Sequence, residues 1–172
     1  MNNKVSIIIP AFNEEETIVN TINETIKVFK KIGTDYEIVV VDDGSGDETS
    51  LKVRNSIDDS INKVQLINYP TNAGKGFAIK YGFRYVSGDY VLFLDADLDL
   101  HPEHVENFLR LLKSNEADLV IGSKLHKESV VEYPLTRRIL SFGYYIFIRT
   151  LFNLPVKDTQ TGLKLFEYEA LE

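Results

Sequence analysis

The sequence predicts a layered α/β fold with a mainly parallel central sheet. Two observations predict it. Short apolar runs that suit buried strands alternate with segments whose apolar residues recur at helical spacing, and that alternation is typical of parallel sheets. The chain has 172 residues, 44% apolar and 26% charged, which is the composition of a globular domain with enough residues to bury a core.

Six short apolar runs are predicted to form strands. Parallel strands are buried on both faces, so they appear as nearly continuous runs of apolar and often β-branched residues. Pro10 is expected to close the first of them. The predicted strands cover residues 5–9, 37–41, 64–69, 89–94, 117–121 and, as a strand-like run, 163–166.

The first predicted helix covers residues 14–31, with Gly33 just beyond its end. Asn13 and Glu16 have the spacing of an N-terminal cap, because a short polar side chain is followed three residues later by a glutamate. Four apolar residues recur at helical spacing and should face the core: Ile18, Ile22, Ile26 and Phe29.

Three further helices are predicted. Ser45 and Glu48 fit a capping box for a helix that continues to about residue 58. Residues 77–86 form the next helix, with Ile79, Phe83 and Val86 inward, and Pro102 opens the last. The inward face of that last helix is expected to carry Val105, Phe108, Leu109 and Leu112.

The charge and the absence of cysteine exclude several classes of function. A net charge of −7 argues against a broad nucleic-acid-binding face. The chain has no cysteine, which excludes disulfides, thiolate metal sites and cysteine nucleophiles. Its three histidines, His101, His104 and His126, do not have the spacing of a zinc site.

The sequence has no run of the ~18–20 apolar residues that a membrane-spanning helix needs. Residues 139–154 are apolar and aromatic, and Arg138 and Arg149 lie about three helical turns apart on one face. Such a segment fits either a helix at an anionic lipid surface or a buried core helix with surface arginines. The chain stops abruptly, and we expect a longer protein with membrane helices in the missing part.

Four polar loops directly follow predicted strands, at residues 10–14, 42–45, 72–76 and 95–99. In open parallel sheets, ligands bind beyond the carboxyl ends of the strands. We therefore expect these loops to converge on one edge and to form the functional site.

Asp95, Asp97 and Asp99 are the candidate metal ligands. Three carboxylates within five residues repel each other unless solvent or a cation compensates. Hard oxygen ligands with room for water and phosphate suit Mg²⁺ or Mn²⁺. The alternative is an acidic turn that caps a helix. The position after a strand and beside the other loops favours the metal site.

Asp42 and Lys75 are candidate ligand-binding residues on two other loops. Asp42 could accept hydrogen bonds from a base or ribose, while Asp43, Gly44 and Ser45 build the turn. The 72–76 loop lacks the Ser or Thr of a Walker motif, because Gly76 occupies that position. Lys75 could still meet phosphate at a helix N-terminus, or simply be an exposed lysine on a flexible loop.

The ordered set of short segments resembles family 2 glycosyltransferases with the GT-A fold. Within them it resembles the dolichyl-phosphate mannose and glucose synthases and their polyprenyl-phosphate relatives. Each segment is weak alone, but they follow the family order and cover nearly the whole chain. The matching segments are residues 9–14, 41–45, 72–76, 95–98, 122–124, 137–138 and 158–162.

The resemblance implies a GT-A (Rossmann-like) three-layer sandwich. Residues 1–125 would bind the nucleotide sugar and residues 126–172 would bind the acceptor within the same domain. Asp95 and Asp97 would hold the metal and diphosphate, with Asp99 nearby. Lys124 and Arg138 would grip an acceptor phosphate, while Asp158 and Gln160 would line the sugar and acceptor pocket. The nucleotide-sugar site is expected to include Pro10, Ala11, Asn13, Glu14, Asp42, Gly44, Asn72, Lys75, Asp95, Ala96 and Gln160.

The function that the resemblance implies is an inverting, Mg²⁺- or Mn²⁺-dependent transfer of a hexose from a nucleotide diphosphate sugar to a polyprenyl or dolichyl phosphate. A UDP-glucose-type donor is favoured and GDP-mannose is the alternative. Two other functions stay open: transfer to a glycan or polysaccharide hydroxyl, and a non-catalytic nucleotide-sugar-binding fragment. The expected location is the cytoplasmic face of a membrane, either peripheral or anchored by parts outside this chain.

Overall fold

The computed structural model describes residues 4–57, 63–115, 117–122 and 161–171. By its contacts the chain divides into two compact units, one formed by Met1–Val120 with Gly162–Glu172 and the other by Ile121–Thr161. The predicted helix at residues 139–154 lies outside the described residues. The assignment of nucleotide-sugar binding to residues 1–125 and of acceptor binding to residues 126–172 stays a prediction.

A six-stranded sheet organises the first unit, with strand order β3-β2-β1-β4-β6-β5. The pairs β1–β2, β1–β4 and β2–β3 are parallel, and β4–β6 is antiparallel. The prediction of a mainly parallel sheet is therefore confirmed. The strands are β1 (Val5–Ala11), β2 (Tyr36–Asp42), β3 (Val64–Asn68), β4 (Tyr90–Phe93), β5 (Leu119–Ile121) and β6 (Lys164–Glu167).

Helices cover both faces of the sheet. On one face, Ile7 and Ile9 of β1 pack with apolar residues of the first and last helices. On the other, Ile8 packs with Val41 and with Ala78 of the third helix. The helices are α1 (Ile18–Ile32), α2 (Thr49–Ser56), α3 (Lys75–Gly82) and α4 (Val105–Asn115), with short 3₁₀ turns at Phe83–Tyr85, Pro102–His104 and Tyr168–Ala170.

Two helix predictions are confirmed in detail. Gly33 adopts the left-handed conformation, with φ 69°, and its N–H donates to the carbonyl of Phe29 at 3.1 Å, which ends α1. The inward face predicted for α4 is buried, because Val105, Phe108, Leu109 and Leu112 all belong to the core.

Pro10 does not end the first strand, so that prediction was wrong. Strand β1 continues to Ala11, and Pro10 is in register with Val41 of β2. On its other side β1 pairs with β4 only from Val5 to Ile8. Pro10 therefore lies beyond the part of β1 that pairs with β4. Its missing N–H costs no hydrogen bond to that strand.

The two predicted N-terminal caps were also wrong. Helix α1 begins at Ile18 and α2 at Thr49, and neither has a side-chain cap. The Asn13 Oδ1 instead accepts from the N–H of Gly46 at 2.9 Å. Ser45 Oγ accepts from the N–H of Asn13 at 2.9 Å. These polar side chains join two loops to each other rather than capping the helices that follow them.

Among the described residues, no helix combines the length and the apolar character needed to cross a bilayer.

Candidate active site

The loops after β1 and β2 are tied together at the carboxyl edge of the sheet. The N–H of Asp43 donates to the carbonyl of Ala11 at 2.8 Å. The N–H of Glu14 donates to Thr49 Oγ1 at 2.8 Å. Together with the Asn13 bonds, these contacts confirm that the first two polar loops converge.

Asp42 is buried, with 3% of its surface exposed, and its two carboxylate oxygens accept hydrogen bonds from the loop that follows β2 and from α2. The N–H of Ser45 donates to Oδ1 at 2.9 Å, and the hydroxyl of Ser50 donates to Oδ2. A carboxylate has about four lone-pair sites, so two remain for another donor. The structure thus gives Asp42 a role in shaping the turn, and its predicted contact with a nucleotide stays a prediction.

Asp43 connects the end of β2 to the 72–76 loop. Its carboxylate accepts from the N–H of Ala73 at 2.7 Å, from the N–H of Gly74 at 2.8 Å and from the hydroxyl of Tyr69 at 2.7 Å. Burial and the hydrogen bond to Asp43 raise the pKa of Tyr69. The third loop is thereby fixed beside the first two.

Gly44 allows the two loops to touch. Its φ of 72° lies in the left-handed region, which favours glycine. A Cβ at this position would lie 2.7 Å from the backbone N of Asn72 and 2.8 Å from the carbonyl carbon of Thr71. The predicted nucleotide-site residue Gly44 is therefore required by both conformation and close packing.

Lys75 connects the third loop to the fourth. It is the first residue of α3, and its Nζ lies 2.5 Å from Asp95 Oδ1, with side-chain exposures of 52% for Lys75 and 28% for Asp95. Lys75 is exposed, as one of the two alternatives expected, and its ammonium group pairs with a carboxylate that the sequence predicts to bind metal. Its predicted contact with phosphate stays a prediction.

The loop after β4 presents the two other aspartates to solvent. Asp97 and Asp99 are exposed, and Asp97 Oδ1 accepts from the N–H of Asp99 at 3.0 Å. Leu98 between them has a φ of 57°. Ala96 is buried, and its carbonyl accepts from the Thr21 hydroxyl at 2.6 Å, which anchors the loop to α1.

A metal fits this loop only if other ligands complete its shell. Among the described residues, no group of three or more Asp, Glu, His or Cys side chains is placed to hold a metal ion. Asp95, Asp97 and Asp99 thus do not form a ready-made cage. Mg²⁺ and similar ions are commonly held by one or two carboxylates together with waters and substrate phosphates. The half-exposed Asp95 and exposed Asp97 fit that arrangement.

The remaining predicted site residues are placed as follows. Pro10 is half-buried and Asn72 is exposed. Glu14 accepts a hydrogen bond from the Thr17 hydroxyl at 2.7 Å. Four predicted residues, all assigned to the acceptor or the sugar, lie outside the described residues: Lys124, Arg138, Asp158 and Gln160.

Sequence reasoning missed residues whose contribution is a contact rather than a charge. Tyr69 and Ser50 bind the two aspartates after β2 but belong to no short motif, and nothing in the sequence signals them. Gly162 is a further such residue, because a Cβ added to it would fall 2.0 Å from Asp95 Oδ2. The sequence did point to Gly162 in one way, because it lies in the 158–162 segment that resembles the family. Within that segment, roles were predicted only for Asp158 and Gln160.

The structure defines an α/β fold whose acidic loops meet at the carboxyl edge of the sheet, where ligands of such folds commonly bind. Comparison with known proteins identifies its family. The family model described as "Glycosyl transferase family 2" matches residues 6–172. The chain therefore belongs to glycosyl transferase family 2, as its resemblance implied.

Among curated proteins, the chain is 34% identical over 179 residues to a dolichyl-phosphate beta-glucosyltransferase of Dictyostelium discoideum, covering 96% of this chain and 54% of that protein. The chain thus spans about half the length of the relatives that it matches.

Solved structures show the fold. Glucosyl-3-phosphoglycerate synthase from Mycobacterium tuberculosis, in complex with Mn²⁺, UDP-glucose and phosphoglyceric acid, aligns with a TM-score of 0.70 at 22% identity, over 98% of this chain and 58% of that one. A mannosyltransferase from Pyrobaculum calidifontis, in complex with GDP-Man and Mn²⁺, aligns with a TM-score of 0.68 at 22% identity, over 99% and 46%. The predicted α/β GT-A (Rossmann-like) fold is confirmed.

Proposed function

We propose that this chain is the donor-binding part of a glycosyltransferase that moves a hexose from a nucleotide diphosphate sugar to a polyprenyl phosphate. One observation carries the proposal: a continuous set of contacts joins the loops after three strands into one site. Asp43 binds the backbone of Ala73 and Gly74, and the next residue, Lys75, pairs with Asp95. Family membership and the curated relatives support the same reaction class.

In this proposal Asp95 and Asp97 hold a divalent cation, Mg²⁺ or Mn²⁺, together with the donor diphosphate. When bound, such an ion stabilises the negative charge of the departing diphosphate. Lys75 adds a positive charge beside Asp95, where it can also meet a phosphate oxygen. Asp99 lies in the same loop, where its N–H donates to Asp97 Oδ1, and it is the third proposed ligand.

The base and ribose are proposed to lie over the joined loops that follow β1 and β2. Asp42 keeps lone-pair sites beyond the two used by Ser45 and Ser50, so it would accept a further hydrogen bond from the nucleotide. The proposed nucleotide-sugar site is otherwise built from Pro10, Ala11, Asn13, Glu14, Gly44, Asn72 and Ala96, with Gln160 at the sugar.

The proposed acceptor is a polyprenyl or dolichyl phosphate, gripped by Lys124 and Arg138. Its phosphate oxygen is already ionised, so direct displacement with inversion at the anomeric carbon requires no strong general base. The acceptor named for the Dictyostelium relative supports this choice. A lipid acceptor would place the enzyme at a membrane, for which we propose the cytoplasmic face.

Glucose from UDP-glucose is the favoured donor sugar. The curated relative is a glucosyltransferase, and the Mycobacterium tuberculosis neighbour holds UDP-glucose with Mn²⁺. GDP-mannose is the second candidate, since the Pyrobaculum calidifontis neighbour holds GDP-Man with Mn²⁺.

Calorimetric titration of the full-length protein with UDP-glucose and GDP-mannose, each with and without Mn²⁺, tests the donor and the metal together. We expect Mn²⁺-dependent binding of UDP-glucose and much weaker binding of GDP-mannose. The opposite preference would replace the proposed sugar, and binding unaffected by Mn²⁺ would contradict the role of Asp95 and Asp97. Metal-dependent binding without turnover would favour a non-catalytic module.

The acceptor is tested by an Asp158→Asn variant assayed with a polyprenyl phosphate. Because that acceptor needs no base, the variant should keep appreciable activity. If transfer is lost while UDP-glucose still binds, Asp158 acts as the base for a hydroxyl acceptor, and a glycan replaces the lipid as the proposed substrate.

A further inference from the structure

Gly162 lies directly against the carboxylate of Asp95. A Cβ built on Gly162 would fall 2.0 Å from Asp95 Oδ2, 2.2 Å from Cγ and 2.9 Å from Cβ. Real Cβ atoms essentially never approach another atom that closely. The space that any other residue would fill with its side chain is therefore occupied by the carboxylate of Asp95.

The sheet places these two residues opposite each other. Strands β4 and β6 are antiparallel, and Phe93 is paired with Lys164. Continued by two residues, forward from Phe93 and backward from Lys164, the same register brings Asp95 opposite Gly162. Leu163, between Gly162 and the strand, is fully buried, which fixes the position of this backbone.

Space, rather than backbone conformation, accounts for the glycine. Gly162 is not among the residues with a positive φ, unlike Gly33, Gly44 and Gly74. An alanine could adopt the same backbone. The methyl group of that alanine would, however, collide with the Asp95 side chain in its present position.

The Asp95 carboxylate is thus confined from two sides. Lys75 Nζ lies 2.5 Å from Oδ1, and the position that a Cβ of residue 162 would take lies 2.0 Å from Oδ2. One contact comes from the start of α3 and the other from the segment that leads into β6. A side chain at position 162 would collide with the carboxylate in its present position, where it pairs with Lys75.

We propose that Gly162 is a positioning residue for Asp95, whose absent side chain leaves the space that holds the carboxylate in its ligand-binding orientation. The inference rests on the proposed function, in which Asp95 binds the metal and diphosphate. It assigns to the end of the 158–162 segment a role in the donor site, through a direct contact with the loop after β4.

The test is Gly162→Ala in the full-length protein, titrated with UDP-glucose in the presence of Mn²⁺ and followed by thermal unfolding. Mutation of residues that orient a metal ligand typically weakens metal binding about 10- to 100-fold. The affinity of Gly162→Ala for UDP-glucose with Mn²⁺ should therefore fall about tenfold or more. Gly82→Ala is the matched control. Its added Cβ would crowd Val41 and Ile8 methyl groups at 2.8 and 3.0 Å in the core, so it should lower the Tm and leave the affinity unchanged.

A double-mutant cycle with Asp95→Ala separates positioning from general damage. Removing the carboxylate removes the two atoms nearest to the added methyl, so Gly162→Ala should cause little further loss of affinity in that background. Should Gly162→Ala fail to fold, the double variant should recover folding. Equal losses in both backgrounds, or an unchanged affinity in Gly162→Ala, would overturn the proposal.

Failure of the proposed function gives a different result. If Asp95→Ala itself leaves Mn²⁺-dependent binding unchanged, the donor site is misassigned. If Asp95→Ala weakens binding and Gly162→Ala does not, only the positioning role is wrong.

Discussion

The aspartates after β2 and those after β4 begin from the same sequence pattern and end in opposite environments. Asp42 and Asp43 are each 3% exposed and accept five hydrogen bonds between them from the surrounding loops and α2. Asp95 is half-exposed and Asp97 is exposed, and the Asp95 carboxylate forms an ion pair with Lys75, whose side chain is long and flexible.

This difference separates carboxylates that build the site from carboxylates that can exchange a partner. A buried carboxylate with several backbone donors is costly to remove, because its donors lose their acceptor. An exposed carboxylate costs little to remove and can bind a cation from solution. The comparison predicts that stability depends on the first pair and metal binding on the second.

Asp97→Ala gives the largest expected effect on activity. Loss of a ligand to the cation that neutralises the diphosphate should lower transfer at least about a hundredfold. The Tm should stay close to the parent value, because Asp97 is exposed. Radiolabelled sugar transfer and thermal unfolding measure the two quantities. Asp118→Ala removes another exposed carboxylate and should keep full activity; a marked loss of Tm in Asp97→Ala would contradict the comparison.

Asp43→Ala gives the largest expected loss of stability, about 2–4 kcal/mol in the free energy of unfolding. The Tyr69 hydroxyl and the N–H groups of Ala73 and Gly74 would lose their acceptor. Urea unfolding monitored by circular dichroism measures it. Tyr69→Phe removes one of the three bonds and should cost about 1 kcal/mol. If Asp43→Ala were as stable as the parent, the hydrogen bonds between Asp43 and the 72–76 loop would not stabilise the fold.

Gly44→Ala should destabilise the same junction by about 1–3 kcal/mol, since it combines a positive φ with a backbone collision at Thr71 and Asn72. Gly33 is the control, because it has a similar φ of 69° and an added Cβ there would meet nothing within 4 Å. Gly33→Ala therefore measures the cost of conformation alone. An equal loss in both variants, measured by urea unfolding, would remove the packing role of Gly44.

The sequence was sufficient for features that depend on local pattern and insufficient for those that depend on contacts between distant residues. Apolar runs predicted the strands, and helical spacing predicted the buried face of α4. The caps failed because Asn13 and Ser45 had partners 33 and 32 residues away that compete with local capping. Gly162 and Asp95 are 67 positions apart, and only the β4–β6 register brings them together.

The smallest expected effect concerns Glu37, a carboxylate at the end of the sheet opposite the candidate site. Glu37 accepts from Lys4 Nζ at 2.7 Å, from Ser6 Oγ at 2.6 Å and from the N–H of Ser87 at 2.6 Å. Burial raises the pKa of Glu37, but these donors outweigh it and hold the pKa below its ordinary value of 4.5. A lowered folded-state pKa stabilises the fold above pH 4.5, and that stability is lost as pH falls through the folded-state pKa.

Glu37→Gln should therefore cost about 1–2 kcal/mol of unfolding free energy at pH 7, and the difference from the parent should shrink below pH 4. Urea unfolding at pH 7 and at pH 3.5 measures both values. Glu106→Gln, on the exposed side of α4, should show little change at either pH. Donor affinity at pH 7 should stay at the parent value, because Glu37 lies at the end of the sheet away from Asp95. If Glu37→Gln lost donor affinity and kept its stability, the donor would bind near Glu37 and the proposed site at the carboxyl edge would be wrong.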